Sequence, residues 1–319
     1  MKKFLYLFAA SLVAFSFASC EPNKPSRPSD DDDDSKKPSY THKDAIEGCL
    51  PGLFAINEKE QVYFSQGNLR YSMKNNYYTY EFAAEQYHIV GEGNQIISSM
   101  IPYSSIDLFG WGTGIYPARS SEDNVDYAEF NDWGEHRIEN GGNEPELWRT
   151  LTNEEWLYLF HGRPNAIKRF GFGHIIKEDD SQIDGVILLP DNWTLPEDVA
   201  FYSAKDKGVE WVTNEGSDLA FYTILNDDQA TELYTHNEYK VTDKTWEKME
   251  NAGAVFLPAA GYREGTNVYM SRSYYGPVGG YWSSTPYTEG KAYFLYFSSN
   301  RLHPSREDNY YGRAVRLVR

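Results

Sequence analysis

The chain has 319 residues, of which 47 are acidic and 30 basic, giving a formal net charge of −17, and it contains two cysteines. A chain this anionic is a poor partner for nucleic acid, whose binding rests on Lys and Arg contacts to phosphate. Cys20 and Cys49 alone supply neither a disulfide framework, nor a thiolate zinc site, nor a redox pair.

The opening segment "MKKFLYLFAASLVAFSFASC" pairs a basic start (Lys2, Lys3) with an apolar run too short for a comfortable membrane span, then the small residues Ala18 and Ser19 before Cys20. That layout predicts a cleaved signal peptide over residues 1–19. "FASC" is similar to a bacterial lipobox, although Phe17 stands where an aliphatic residue is usual, so Cys20 is the expected lipidation site. Residues 20–43, "CEPNKPSRPSDDDDDSKKPSYTHK", are rich in Pro, Ser and charge. They have too little to bury to offset their ordering entropy and read as a disordered tether. Its acidic run resembles the export signals of surface lipoproteins in Bacteroidetes-type bacteria. The expected location is therefore the outer membrane, held by lipid alone and facing outward.

Residues 44–319 read as one domain without internal repeats. "QVYFSQ" alternates, with Val62 and Phe64 on one face, and predicts a strand. "NNYYTYEFA" and "YHIVG" read the same way, and "IDLFGWGTGIYP" reads as a packed loop pinned by Phe109 and Trp111. In "LTNEEWLYLF", Thr152 stands three residues before Glu155, a capping box, and Trp156, Leu159 and Phe160 share a helical face. In "VTDKTWEKMENAGAVFLP", Thr242 or Asp243 can cap a helix. There Trp246 and Met249 share a face, and Gly253 sits where a left-handed residue ends it. "AVFLP" reads as a buried strand closed by Pro258, and "GVILLP" (185–190) as its twin earlier in the chain. "GGYWSST", "AYFLYFSSN" and "GRAVRLVR" have strand character, so the last third builds a sheet with helices on one side, an α+β arrangement.

In order, "LFAINEKEQVYFSQGNLRY", "DLFGWGTG", "NDWGEHRIENGGN", "WRTLTNEEWLYLFHGR", "GVILLPDNW", "AGAVFLPAAGYREGT", "GGYWSSTPY" and "GRAVRLVR" resemble the Fibrobacter succinogenes major paralogous domain family, over about residues 50–319. The resemblance implies a C-type lectin-like fold, in the branch of the formylglycine-generating sulfatase-modifying enzymes. It also implies secreted proteins and lipoproteins as relatives. Variable proteins diversified by retroelements share that fold and use aromatic and polar residues of their last strands to bind ligand.

Formylglycine-generating chemistry needs a cysteine pair near the C-terminal end, and no cysteine follows Cys49. Glycoside hydrolysis needs two opposed carboxylates, whereas Glu154 and Glu155 are adjacent and Glu155 reads as a cap. The group Asp126, Glu129, Asp132, Glu135 and His136 reads as a solvated acidic loop. Calcium is the one ion it suggests, through oxygen ligands but without loop spacing. His161 reads as complementing a helix dipole, and "DNW" at 191–193 as a structural turn.

No enzyme and no cofactor are expected. The aromatic C-terminal region remains. Tyr281 and Trp282 read as framework, and in "AYFLYF" Leu295 and Phe297 face inward, with Tyr293 on their side, while Phe294 and Tyr296 face out. The flanking segments "YMSRSYYGP" and "NRLHPSREDNYY" read as loops mixing Tyr, Arg, Ser and His, as recognition surfaces do. The expected ligand-binding residues are Tyr269, Arg272, Tyr274, Tyr275, Tyr287, Phe294, Tyr296, Arg301, His303, Arg306 and Tyr310. The partner is an external protein or glycan. The alternatives are a structural part of an outer-membrane or adhesive assembly, and a degenerate carbohydrate-active enzyme.

Overall fold

A computed structural model describes residues 46–74, 77–95, 105–213, 220–224, 234–235, 237–272, 276–299 and 301–319. The leader, Cys20, the tether, Tyr274 and Tyr275 lie outside the described residues. All described residues belong to one compact unit, and none of their helices is long and apolar enough to cross a membrane.

The chain opens with strands β1 (Cys49–Ala55), β2 (Gln61–Ser65), β3 (Leu69–Lys74) and β4 (Tyr77–Phe82). Val62 and Phe64 are buried, as the alternation of "QVYFSQ" requires. "YHIVG" forms no strand. Its neighbour Gln86 instead enters the core, where Arg316 donates to its Oε1 at 2.6 Å. Residues 105–148 are mostly loop, held by buried rings of which Phe109 and Trp111 are two.

Strand β5 (Arg149–Thr150) leads into α1 (Asn153–Leu157). The capping box is complete: Thr152 Oγ1 accepts from the Glu155 backbone N at 3.2 Å, and Glu155 Oε2 accepts from the Thr152 N at 2.8 Å. A π-type turn, in which Arg163 N donates to Tyr158 O at 2.8 Å, then ends the helix. Strands β6 (Phe170–Ile176), β7 (Gln182–Leu188), β8 (Val209–Thr213), β9 (Ala220–Ile224) and β10 (Glu238–Lys240) precede α2 (Thr245–Asn251). Asp243 Oδ1 accepts from Thr245 N at 3.0 Å, one step outside the cap, and Gly253 closes the helix at φ +94°.

The last third contains β11 (Val255–Pro258), β12 (Tyr262–Glu264), β13 (Asn267–Tyr269), β14 (Ser271–Arg272), β15 (Gly276–Pro277), β16 (Gly279–Thr288), β17 (Lys291–Ser298), β18 (Arg301–Asp308) and β19 (Leu317–Val318). "AVFLP" and "GVILLP" pair directly, Val255 opposite Leu188 and Pro258 opposite Gly185, within a sheet ordered β10-β6-β7-β11. Segment 300–311, read as a loop, is largely strand β18. It pairs with β17 along its whole length but with β9 only at Arg301 and Leu302. Beyond Leu302 it is an edge, where Pro304 is tolerated.

The architecture is α+β and sheet-rich. The C-terminal sheet, ordered β16-β17-β18-β9-β8, lies between two aromatic cores. One face gives Tyr281, Leu295, Phe297 and Leu302 to a core containing Trp156, which caps that face from α1. The other gives Trp282, Phe294 and Tyr296 to a second core containing Trp111, Trp133 and Trp148. Among the described helices α1 packs on this sheet. Helix α2 packs elsewhere, through Trp246 and Met249 onto Tyr239 and Phe256 of β10 and β11.

Three of the buried tryptophans also satisfy backbone carbonyls. Trp282 Nε1 donates to Phe109 O at 2.7 Å, Trp111 Nε1 to Ser283 O at 2.9 Å and Trp148 Nε1 to Gly141 O at 2.7 Å. Each of these indoles fills volume and satisfies a backbone carbonyl in one step. The "GG" of β16 is a packing device rather than a turn. A Cβ on Gly279 would collide with the Phe297 ring, and one on Gly280 with the Arg313 side chain.

Candidate functional site

The expected outward pair of β17 is not outward. Phe294 is 3 % exposed and Tyr296 is 9 % exposed. The alternation is correct, but both faces are covered. Phe294 packs edge-on against Trp282 (centroids 5.8 Å apart), and the Arg313 guanidinium lies over it at 4.1 Å. Tyr296 lies beside His303 at 5.1 Å. Both rings belong to the framework, together with Tyr281 and Trp282, which the structure buries as expected.

These rings form a continuous stack. It runs Phe221, His303, Tyr296, Phe294, Arg313, Tyr262 and Tyr269, with successive centroid or guanidinium separations between 4.1 and 6.3 Å. Its middle is buried and its far end is open, where Tyr269 is 40 % exposed. Tyr311 joins it by donating to Glu264 Oε1 at 3.1 Å, and the expected site residue Tyr310 stacks on Tyr311 at 4.8 Å. Burial and its hydrogen-bonded neighbours push the Tyr311 hydroxyl above the usual tyrosine range. At the other end Arg301 lies over Phe221 at 5.0 Å. His303 Nδ1 donates to Pro304 O (2.8 Å), and desolvation, aided by Arg301, lowers its pKa. Arg272 belongs to β14.

On the opposite face of the sheet sits a smaller group. Tyr293 is directly opposite Arg306, and Tyr287 meets Tyr293 edge-on, with centroids 5.2 Å apart at 76°. The Arg306 guanidinium lies over the Tyr287 ring at 4.4 Å. Tyr293 is half-buried rather than inward, because the core on its side ends at Leu295.

Several turns converge beside both groups. The loop containing Tyr116 and Val125 is tied to β18 by Asn124 Nδ2, which donates to Asp308 Oδ1 at 2.9 Å. Asn309 Nδ2 donates to Tyr127 O at 3.1 Å. Arg263, buried, donates to Arg119 O at 3.1 Å and Gly265 O at 2.6 Å, and desolvation lowers it to about 10. Glu122 packs against Gly265 so closely that a Cβ there would collide with it. Exposed on or near these turns are Tyr116 and Val125 of that loop and Tyr287 of β16, while Tyr269 of β13 is exposed beside the start of β16. Tyr116 and Val125 escaped the sequence reading, which sought display residues only in the last strands.

Other candidate chemistry is occupied structurally. Asp132 accepts from Gly134 N, Thr150 N and Thr150 Oγ1, and among the described residues no three His, Cys, Asp or Glu side chains gather to hold a metal. Asp191 of "DNW" accepts from Ala55 N at 2.6 Å and from Arg163 at 3.0 Å, so it is a structural turn. His161 stacks on Trp211 at 4.2 Å, and burial lowers its pKa. An open cleft lined by Lys168, Arg169 and Trp193 has its Arg169 turned to Pro190 O at 2.7 Å.

A model of a domain of unknown function, DUF8237, matches residues 210–318, the stretch from β8 to β19. No curated protein and no solved structure matches the chain.

Proposed function

We propose that this chain is a non-enzymatic lipoprotein, anchored through Cys20 and facing outward from the outer membrane. In this reading its C-type lectin-like domain, of the formylglycine-generating branch, binds an external protein or glycan through its exposed tyrosines. The observation that carries the reading is the exposure of Tyr116, Tyr269 and Tyr287 on the loops and strands around the C-terminal sheet, whose central rings are buried. Tyrosine combines contact area with a hydroxyl and loses little entropy on binding, and turns on a rigid sheet are the usual place for such residues. The sequence resemblance to secreted and lipid-anchored relatives supports the location. The absence of any cysteine after Cys49 supports a binding role over the sulfatase-modifying one.

The test is a glycan and protein array probed with the purified chain and with a Tyr116→Ser/Tyr269→Ser/Tyr287→Ser variant. The wild type should label a restricted set of spots, and the variant should lose them while melting at the same temperature. Equal labelling by the two proteins would remove these tyrosines as the binding surface. A Cys20→Ser chain should appear in the soluble fraction.

A further inference from the structure

Arg306 shares with Arg119, which lies over Tyr116 at 4.7 Å and Tyr127 at 5.7 Å, a side chain whose contacts are rings. Arg263 spends its donors on backbone carbonyls, and Arg313 faces Glu307 at 3.8 Å. Arg306 makes no hydrogen bond or ion pair among the described residues, and its guanidinium lies over the Tyr287 ring at 4.4 Å. The acids next to it on β18 are engaged elsewhere. Glu307 faces Arg313, while Asp308 pairs with Lys291 at 3.3 Å and receives Asn124. In a chain of net charge −17, a half-exposed guanidinium left without a carboxylate is a poor use of a cation unless an anion arrives from outside.

Its setting fits one class of anion. Its seat over the Tyr287 ring restricts the guanidinium, and a fork of donors without protein acceptors suits two-point contact with a carboxylate. The hydroxyls of Tyr287 and Tyr293 likewise form no hydrogen bond among the described residues. The two rings stand at 76°, offering an edge and a face side by side to a ligand with a flat C–H surface.

We infer that Arg306, Tyr287 and Tyr293 form a binding site for a sugar ring bearing a carboxylate, such as a uronic or sialic acid. The fork takes the carboxylate and the tyrosines take the ring. A glutamate or aspartate side chain offers the same carboxylate, but on a flexible stem with no ring to lie against the tyrosines. This inference rests on the reading of the exposed tyrosines as a recognition surface and names its ligand chemistry.

The experiment titrates the full chain calorimetrically with 3′-sialyllactose and a glucuronic-acid-terminated disaccharide, with the methyl esters of both, and with a glutamate-rich peptide. At least one acidic sugar should bind, and its ester at least tenfold more weakly. Arg306→Ala should lose tenfold or more for the acid and little for the ester. Arg306→Lys should fall between, because an ammonium keeps the charge without the fork. Thermal melts confirm that both variants fold. Equal binding of acid and ester, unchanged binding by Arg306→Ala, or binding of the peptide alone would overturn the assignment. If array spots survive those outcomes, the recognition surface stands without an acidic-sugar site. If the array is blank as well, both fail.

Discussion

Replacing Phe294 by alanine separates a buried ring from a displayed one. The ring is 3 % exposed, set edge-on to Trp282 at 5.8 Å and lying under the Arg313 guanidinium at 4.1 Å. Truncating a buried phenylalanine costs about 3–5 kcal/mol through lost transfer energy and the cavity left behind. A desolvated cation–π contact adds up to about 2 kcal/mol, part of which overlaps the first figure. A total near 4–5 kcal/mol in a domain of this size lowers Tm by roughly 10–20 °C. Tyr287→Ala, at a ring 37 % exposed, should stay within about 1 kcal/mol of wild type. Circular dichroism melts and urea titrations of both variants provide the comparison. A Phe294→Ala loss below about 1 kcal/mol would mean that this ring faces solvent, and the division into framework and display would collapse.

Other outcomes follow from the same contacts. The Arg163 side chain is fully buried and Asp191 is its acid at 3.0 Å, so Asp191→Ala strands a buried charge and should lower the urea-derived stability by about 3–5 kcal/mol. His303 has a folded pKa below the ordinary imidazole value, because burial and Arg301 oppose its charged form. The stability it contributes is present above the unfolded pKa of about 6.5 and is lost as pH falls through the folded pKa. His303→Gln should therefore flatten the fall in urea midpoint between neutral and mildly acidic pH, and an unchanged slope would discount it. Burial pushes the Cys49 thiol up to about 12. In a Cys20→Ser chain it should react with a disulfide reagent at pH 8 far more slowly than after unfolding in urea.

What the sequence made legible was local. The Thr152–Glu155 box and Gly253 are recognisable because their partners lie within a few residues, and the capping geometry forms as that spacing implies. "AVFLP" and "GVILLP" were legible as buried strands from their unbroken apolar runs, and they are neighbours in one sheet. Alternation in "AYFLYF" sorted its residues correctly into two faces. It could not say whether a face is covered, because the cover comes from distant residues: Trp111 and Trp133 on one side, Trp156 on the other. Segment 300–311 looked like a loop because Pro304 and its charged neighbours imitate one, yet pairing with β17 makes it a strand. Which side chains are exposed was legible only in part. Tyr269, Tyr287, Arg306 and Tyr310 were named, while Tyr116 lay in a segment brought alongside only by the fold.

The placement of β19 has a bearing on the order in which the domain can fold. Val318 pairs with Phe64, Leu317 and Val318 pair with β5, and Tyr63 and Arg319 exchange two 2.9 Å backbone bonds. The sheet begun by β1 and β2 is thus completed by residues from the opposite end of the domain's sequence. Closing so long a loop is entropically expensive and raises the contact order, which slows folding. During synthesis the β1–β2 hairpin must wait with an unpaired edge until Val318 has emerged. Throughout that interval the nascent chain depends on whatever shields exposed strand edges from one another.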